Sequence, residues 1–272
     1  MKIFHVTKSG KSPKHKGPEH KSPEHKHKGT QHKHKGGMKR VRKKRRSPLS
    51  LSLRALNPMS SERANSTTSV IRIPQFLSSC EIHTILEKVR EIDLPMYTNN
   101  AADDINKQGE PVHVTSYLNT DNMFHIVFPW LADRIRKTII AVNKSEKWGF
   151  ALKSNRVNVR VAEYHEMYPG GSLSGMDHCD IGSLVTVDIM LQEGIAGGEF
   201  QTVGNDGHAT NEMFFAGDAL VFVSHKYHRV SQLREGLRKV MVLEYWNGEQ
   251  RTCGHRCDEV QGVCCFSNDD SE

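Results

Sequence analysis

The sequence has no run of apolar residues approaching the roughly 18–20 that a membrane-spanning helix needs, which excludes a transmembrane segment. Its first residues, Met-Lys-Ile-Phe-His-Val, turn at once to Lys, Ser and Pro. A secretory signal needs an apolar stretch of about 7–15 residues there, so export is not expected. Cysteine is scarce, six in 272 residues. In a chain that is not exported these are expected as thiols or metal ligands, not as a disulfide framework. Aromatic residues make up 7% of the chain, and Phe4 is the only one before residue 49. That first stretch has neither the means to build a core nor the means to stack bases.

Net positive charge is also missing from most of the chain. The formal charge is +7, yet residues 1–48 hold 17 Lys/Arg against 2 Glu, whereas 49–272 hold 21 basic and 29 acidic side chains. A globally basic, nucleic-acid-coating fold is therefore excluded. Residues 1–48 are a low-complexity Lys/His-rich segment that reads as a disordered basic tail. Its seven histidines have nothing to fix a ligand geometry. Lys39-Arg-Val-Arg-Lys-Lys-Arg-Arg46 is a patch suited to a nuclear import receptor or a polyanion, so the location is expected to be nuclear or cytoplasmic. Residues 49–69, rich in Ser, Asn and Thr, read as a linker, and 70–250 as the folded domain.

Within that domain, Ser78 with Glu81 three residues on has capping-box spacing, and Ile82, Ile85, Leu86 and Val89 follow at helical period. A second helix is expected over about 123–142, after a strand at 112–118. From Val157 the alternation becomes that of strands, with candidates at 184–191, 199–203, 219–223 and 240–245 between Gly-rich turns. Helices followed by a run of antiparallel-looking strands predict an α+β domain, its helices backing a sandwich or open barrel.

Chemistry concentrates in two places. In Met176-Asp-His-Cys-Asp180, His178 and Asp180 are two residues apart, so on an extended segment they face the same way and can converge on one ion. Downstream, Gly217-Asp-Ala-Leu-Val-Phe222 leads through His225 and His228 to Arg238, which opens the next strand. Two histidines and one carboxylate form the facial triad of non-heme Fe(II) oxygenases. An Arg fork beside it suits a planar carboxylate. Cys253, Cys257, Cys264 and Cys265, with His255, form a last cluster in residues 251–272, read as a Cys-rich tail. Zinc, a disulfide clip and free thiols all remain open for it.

At these residues the chain resembles the Fe(II)/2-oxoglutarate-dependent dioxygenases, in their prolyl 4-hydroxylase-like branch. The resemblance runs from about Ile73 to Trp246 and includes the Phe-Leu-Ser helix start, Tyr164, His178-x-Asp180, Gly197-Gly198-Glu-Phe200, Gly217-Asp-Ala-Leu-Val-Phe222, His228 and Gly236-x-Arg238. It implies a double-stranded β-helix (jelly-roll) core backed by N-terminal helices. It also implies that His178, Asp180 and His228 hold Fe(II), and that Arg238 pairs the distal carboxylate of 2-oxoglutarate. Tyr164 and Thr186 are the implied supporting contacts, with Tyr168 as rival to Tyr164 and His225 as rival to His228. The ten-residue step to Arg238 favours His228, leaving His225 and His165 as exposed loop histidines.

The implied reaction hydroxylates a C–H bond, of a prolyl or other side chain in a protein or peptide, using O2 and releasing succinate and CO2, with ascorbate as a possible helper. Two other functions compete with it. One is oxidation of nucleic acid with the tail as tether, and the other is a catalytically silent β-sandwich binding module.

Overall fold

Alternating side-chain faces and helix-stop residues account for most of the architecture. The structure is a computed structural model that describes residues 59–92, 94, 97–98, 109–152 and 156–256. The basic tail, the Lys/Arg run and three of the four C-terminal cysteines lie outside the described residues. So does the expected linker up to residue 58. The rest of that linker stretch is structured: helix α1, Ser61–Thr67, is capped by Ser60, whose hydroxyl accepts from Arg63 N–H, and it buries Ala64 completely.

Helix α2, Ser79–Ile92, starts as its capping box predicts. Ser78 N–H donates to Glu81 Oε2 at 2.9 Å, and Glu81 N–H donates back to Ser78 Oγ at 3.3 Å. Arg134 adds an ion pair to Glu81 at 2.5 Å. That guanidinium, followed by the Ser78 N–H, brings the Glu81 carboxyl from 4.5 down to about 2. Because the folded value lies below the unfolded one, its stabilisation is complete above pH 4.5 and drains away as pH falls toward 2. Glu81→Gln should cost about 1 kcal/mol at neutral pH. In thermal melts the deficit relative to wild type should close across that acid window, and a deficit constant with pH would contradict this role.

The single helix expected over 123–142 is two helices, α3 (Met123–Val127) and α4 (Pro129–Ser145). Pro129 has no N–H to donate and cannot continue α3, but its fixed φ suits the first turn of α4. Among the described residues no helix is long and apolar enough to cross a membrane.

The strands are all antiparallel. One sheet has seven, in the order β1-β9-β5-β12-β4-β3-β2, formed by Ile71–Ile73, Ala219–Val223, Val185–Gln192, Arg238–Trp246, Asn158–Met167, His113–Tyr117 and Tyr97–Thr98. A three-stranded sheet orders β10-β7-β8 (His228–Val230, Phe200–Val203, Ala209–Asn211), and a two-stranded one pairs β11 (Leu233–Glu235) with β6 (Ala196–Gly197). Strands β3, β5, β7, β9 and β12 fall within two residues of their expected limits, and β4 runs on to Met167, past the alternation read from Val157. The short strands β1, β2, β6, β8, β10 and β11 were not legible, because two or three residues carry too little periodicity.

The pleat divides the core. On β5, Val185, Val187, Ile189 and Leu191 pack with Ile85, Leu131, Ile135 and Ile139 of the helices. Met190 of β5 joins Met167, Phe200, Phe222, Val230 and Val240 in a second cluster, which links the large sheet to the small ones. Thr186 and Asp188 share the face of Met190, so polar residues on this side point toward the gap between the sheets.

Candidate functional site

A cavity of about 430 Å³ occupies that gap, walled by β3, β4, β5 and β12 of the large sheet and by Phe200, His228 and Val230 of the small one. His178, Asp180 and His228 meet at its wall, their ligand atoms all within 4.8 Å of one another. Among the described residues this is the one group of three His, Cys, Asp or Glu side chains so placed. Asp180 Oδ1 is the convergence point, 3.6 Å from His178 Nε2 and 3.8 Å from His228 Nε2.

Backbone bonds bring the two segments together. His178 and Asp180 lie on an irregular stretch between β4 and β5. His228 N–H donates to His178 O at 3.0 Å, and Asp180 N–H donates to Ser224 O at 2.8 Å. The His228 ring is stacked on Phe200 and meets Phe222 edge-on, which fixes its plane. Its Nδ1 lies 2.9 Å from Lys226 O. A carbonyl only accepts, so Nδ1 carries the proton and Nε2 presents its lone pair to the cavity. Burial disfavours the charged form of His228 and lowers its pKa, against the pull of Asp180, so the ring is a neutral ligand donor.

Asp180 is 2% exposed. Burial opposes its ionisation, but His228, His178 and Arg256 together hold the carboxyl well below the usual carboxylate range. Thr186 donates its hydroxyl to Asp180 Oδ2 at 2.6 Å and shares a 2.9 Å hydrogen bond with Ser224 Oγ. One oxygen is thus held from behind while Oδ1 faces the histidines. Thr186, expected to touch the co-substrate, is instead the residue that aims Asp180. Thr186→Val, nearly isosteric, should weaken divalent-metal affinity on the order of tenfold by calorimetry, and an unchanged affinity would deny it this role.

Tyr164 is a second correction. Residues 163, 165 and 167 of β4 line the cavity, so Tyr164 turns to the other face and packs in the helix-backed core. Its hydroxyl donates to Glu166 Oε1 at 2.7 Å, and that of the rival Tyr168 donates to Glu166 Oε2 at 2.6 Å. Neither lines the cavity. His165, expected in an exposed loop, lines it with a side chain only 14% exposed. Its Nε2 lies 3.0 Å from Glu163 Oε2, while its Nδ1 is 3.0 Å from both His113 Nε2 and Thr115 Oγ1. His225 sits in the turn before His228 and does not line the cavity.

Arg238 opens β12, 3% exposed, and lines the cavity. Burial lowers its pKa only to about 10, so it remains a cation at neutral pH. Its Nε is buried with no hydrogen-bond partner. Gly198, at φ +75°, lies beneath its stem, where an added Cβ would come within 3.2 Å of Arg238 Cδ. The Gly197-Gly198 turn therefore both adopts a left-handed backbone and makes room for the guanidinium.

Sequence reasoning missed Arg256, which lies in the segment read as a separate tail. Residues 251–256 run along the domain, with Arg251 N–H donating to Val159 O and Asp121 N–H donating to Thr252 O. Arg256 then enters the cavity. It donates to Asp180 Oδ1 at 3.1 Å, lies 3.6 Å from Glu163 and pairs closely with Glu244, which is completely buried. Burial raises Glu244 to about 7 despite the opposing charge of Arg256. No sequence signal for Arg256 exists, since its partners lie on three distant strands and loops. Asp188, also missed, had one: it is the lone carboxylate in the apolar run Leu-Val-Thr-Val-Asp-Ile-Met-Leu.

One carboxylate and two imidazoles suit Fe(II), with positions left for other ligands. The Arg238 guanidinium in the same cavity, its Nε without a hydrogen-bond partner, suits a carboxylate. No family model and no curated protein matches this sequence. Solved structures are similar in fold at low identity. An oxidoreductase of the 2OG-Fe(II) oxygenase family from Burkholderia pseudomallei is 14% identical, with 68% of this chain and 88% of that chain covered and a TM-score of 0.47. A prolyl-4-hydroxylase from Pseudomonas putida is 16% identical, with 68% and 95% covered and a TM-score of 0.47. A Trichoplax adhaerens prolyl hydroxylase, solved with a hypoxia inducible factor peptide fragment, is 17% identical, with 73% and 92% covered and a TM-score of 0.45. These are likenesses of chain trace, with prolyl hydroxylases among them, and the chemistry rests on the side chains of the site itself.

Proposed function

We propose that the chain is an Fe(II)- and 2-oxoglutarate-dependent dioxygenase, built on a double-stranded β-helix, that hydroxylates a side chain of a protein or peptide, prolyl in the first instance. The observation that carries this reading is one cavity holding both the His178–Asp180–His228 convergence and the buried, unpartnered Nε of Arg238. His178, Asp180 and His228 would hold the metal, and Arg238 the distal carboxylate of 2-oxoglutarate. When bound, Fe(II) with O2 supplies the oxidation that couples decarboxylation of 2-oxoglutarate to hydroxylation of the substrate.

The chain's own part is orientation and shelter. Lys226 O sets the His228 tautomer and Thr186 turns Asp180 Oδ1 inward. Phe200, Val240 and Val242 give the cavity apolar walls that limit water around the reacting groups. The substrate assignment follows the branch that the motifs resemble.

The test is succinate release by the full chain with Fe(II), 2-oxoglutarate and candidate peptides, with mass spectrometry for the gain of one oxygen. Metal-dependent turnover that Asp180→Ala abolishes is expected. An iron-loaded, folded protein that never consumes 2-oxoglutarate would overturn the proposal.

A further inference from the structure

A second buried polar atom facing the cavity has no hydrogen-bond partner among the described residues. Asp188 is 5% exposed, in the middle of β5, on the cavity-facing side two residues beyond Thr186. Its Oδ1 is buried without a hydrogen bond, as is Nε of Arg238 on the adjacent strand β12. A buried polar atom left unpaired costs about 1–3 kcal/mol, and two facing one cavity point to a ligand that satisfies both.

The surroundings of Asp188 fix what it can offer. Burial, with Asp180, Glu244 and Glu163 nearby and Arg238 opposing them, pushes its carboxyl well above the ordinary range. A carboxyl that keeps its proton is a donor, whereas an ionised one beside Arg238 would neutralise that cation and repel an incoming anion.

We propose that Asp188 is the second anchor for the distal carboxylate of the co-substrate, donating its carboxyl O–H to one oxygen while Arg238 holds the other. The cavity then selects a dicarboxylic 2-oxo acid over a monocarboxylic one. This inference rests on the dioxygenase reading and deepens it.

The experiment is calorimetric titration of the full chain, loaded with Mn(II), with 2-oxoglutarate and with 2-oxobutyrate, which lacks the distal carboxylate. Asp188→Asn keeps a neutral donor and should bind 2-oxoglutarate within about threefold of wild type. Asp188→Leu should bind it more weakly, on the order of 10- to 100-fold, while 2-oxobutyrate binding stays unchanged. A general loss of structure would weaken both acids alike. If Asp188→Leu binds 2-oxoglutarate as wild type does, or if Asp188→Asn is as weak as Asp188→Leu, the inference is overturned. In that case loss of binding in Arg238→Met would leave the dioxygenase reading standing. If Arg238→Met also binds normally, the carboxylate anchor lies elsewhere and the inference falls, while the dioxygenase reading stands or falls on consumption of 2-oxoglutarate.

Should Asp188→Leu fail to fold, infrared difference spectra of the wild type decide the matter. A protonated-carboxyl band that shifts when 2-oxoglutarate binds, and is missing in Asp188→Asn, is expected. Its absence from the wild type would overturn the inference.

Discussion

Arg238→Met should raise the dissociation constant for 2-oxoglutarate by at least about a hundredfold while leaving divalent-metal affinity unchanged. Methionine keeps most of the stem that packs over Gly198, so the variant chiefly strips the guanidinium. Removing one partner of a buried charge pair costs about 3–5 kcal/mol, and each 1.4 kcal/mol is tenfold in affinity. Because no hydrogen bond or ion pair joins Arg238 to the three candidate metal ligands among the described residues, its loss separates co-substrate binding from metal binding. Calorimetry with metal and co-substrate titrated in turn reads both. A variant that binds 2-oxoglutarate normally would place the carboxylate anchor elsewhere.

Arg256→Ala should destabilise the fold by about 2–4 kcal/mol in urea unfolding at neutral pH. Arg256 is the shared counter-charge of Asp180, Glu163 and Glu244, and the last of these is completely buried. Without it these three carboxylates lose their common counter-charge, and Arg160, 3.3 Å from Glu244, remains as that residue's cationic partner. Adding Glu244→Gln removes a buried carboxylate left with Arg160 as its counter-charge, so the double variant should be more stable than Arg256→Ala alone. Equal stabilities of the double and single variants would contradict this account.

These two arginines also show what was legible in the sequence. Arg238 could be found because it sits at a fixed step after His228 and opens a strand with clear alternation. The convergence of His178, Asp180 and His228 was legible from the two-residue step between the first two and from the order of motifs on which the resemblance rests. Arg256 gathers partners from residues 163, 180 and 244, a convergence that no local pattern records.

Tyr164 and Thr186 were misplaced for a different reason. Which face of a strand looks into the cavity depends on register, and a one-residue change swaps the faces. Once β4 pairs His165 with Val240, odd-numbered residues of that strand face the cavity, which turns Tyr164 toward the helices. Thr186, implied as a co-substrate contact by the resemblance alone, lies on the same face of its strand as the cavity-lining Asp188, but its hydroxyl is held by Asp180. Strands of four to nine residues were mostly read to within two residues, whereas the helix over 123–142 was not divided. The break at Pro129 was readable in principle, since proline cannot continue a helix begun at Met123.

The central claim is that one site, His178, Asp180 and His228, holds Fe(II) and thereby makes a place for 2-oxoglutarate. Anaerobic equilibrium dialysis of the full chain against Fe(II), with and without 2-oxoglutarate, tests it most directly. The expected result is one Fe(II) per chain and 2-oxoglutarate retained when Fe(II) is present, with both lost in folded Asp180→Ala. Stoichiometric Fe(II) and 2-oxoglutarate binding that persists in Asp180→Ala, or a folded wild type that binds neither, would contradict it.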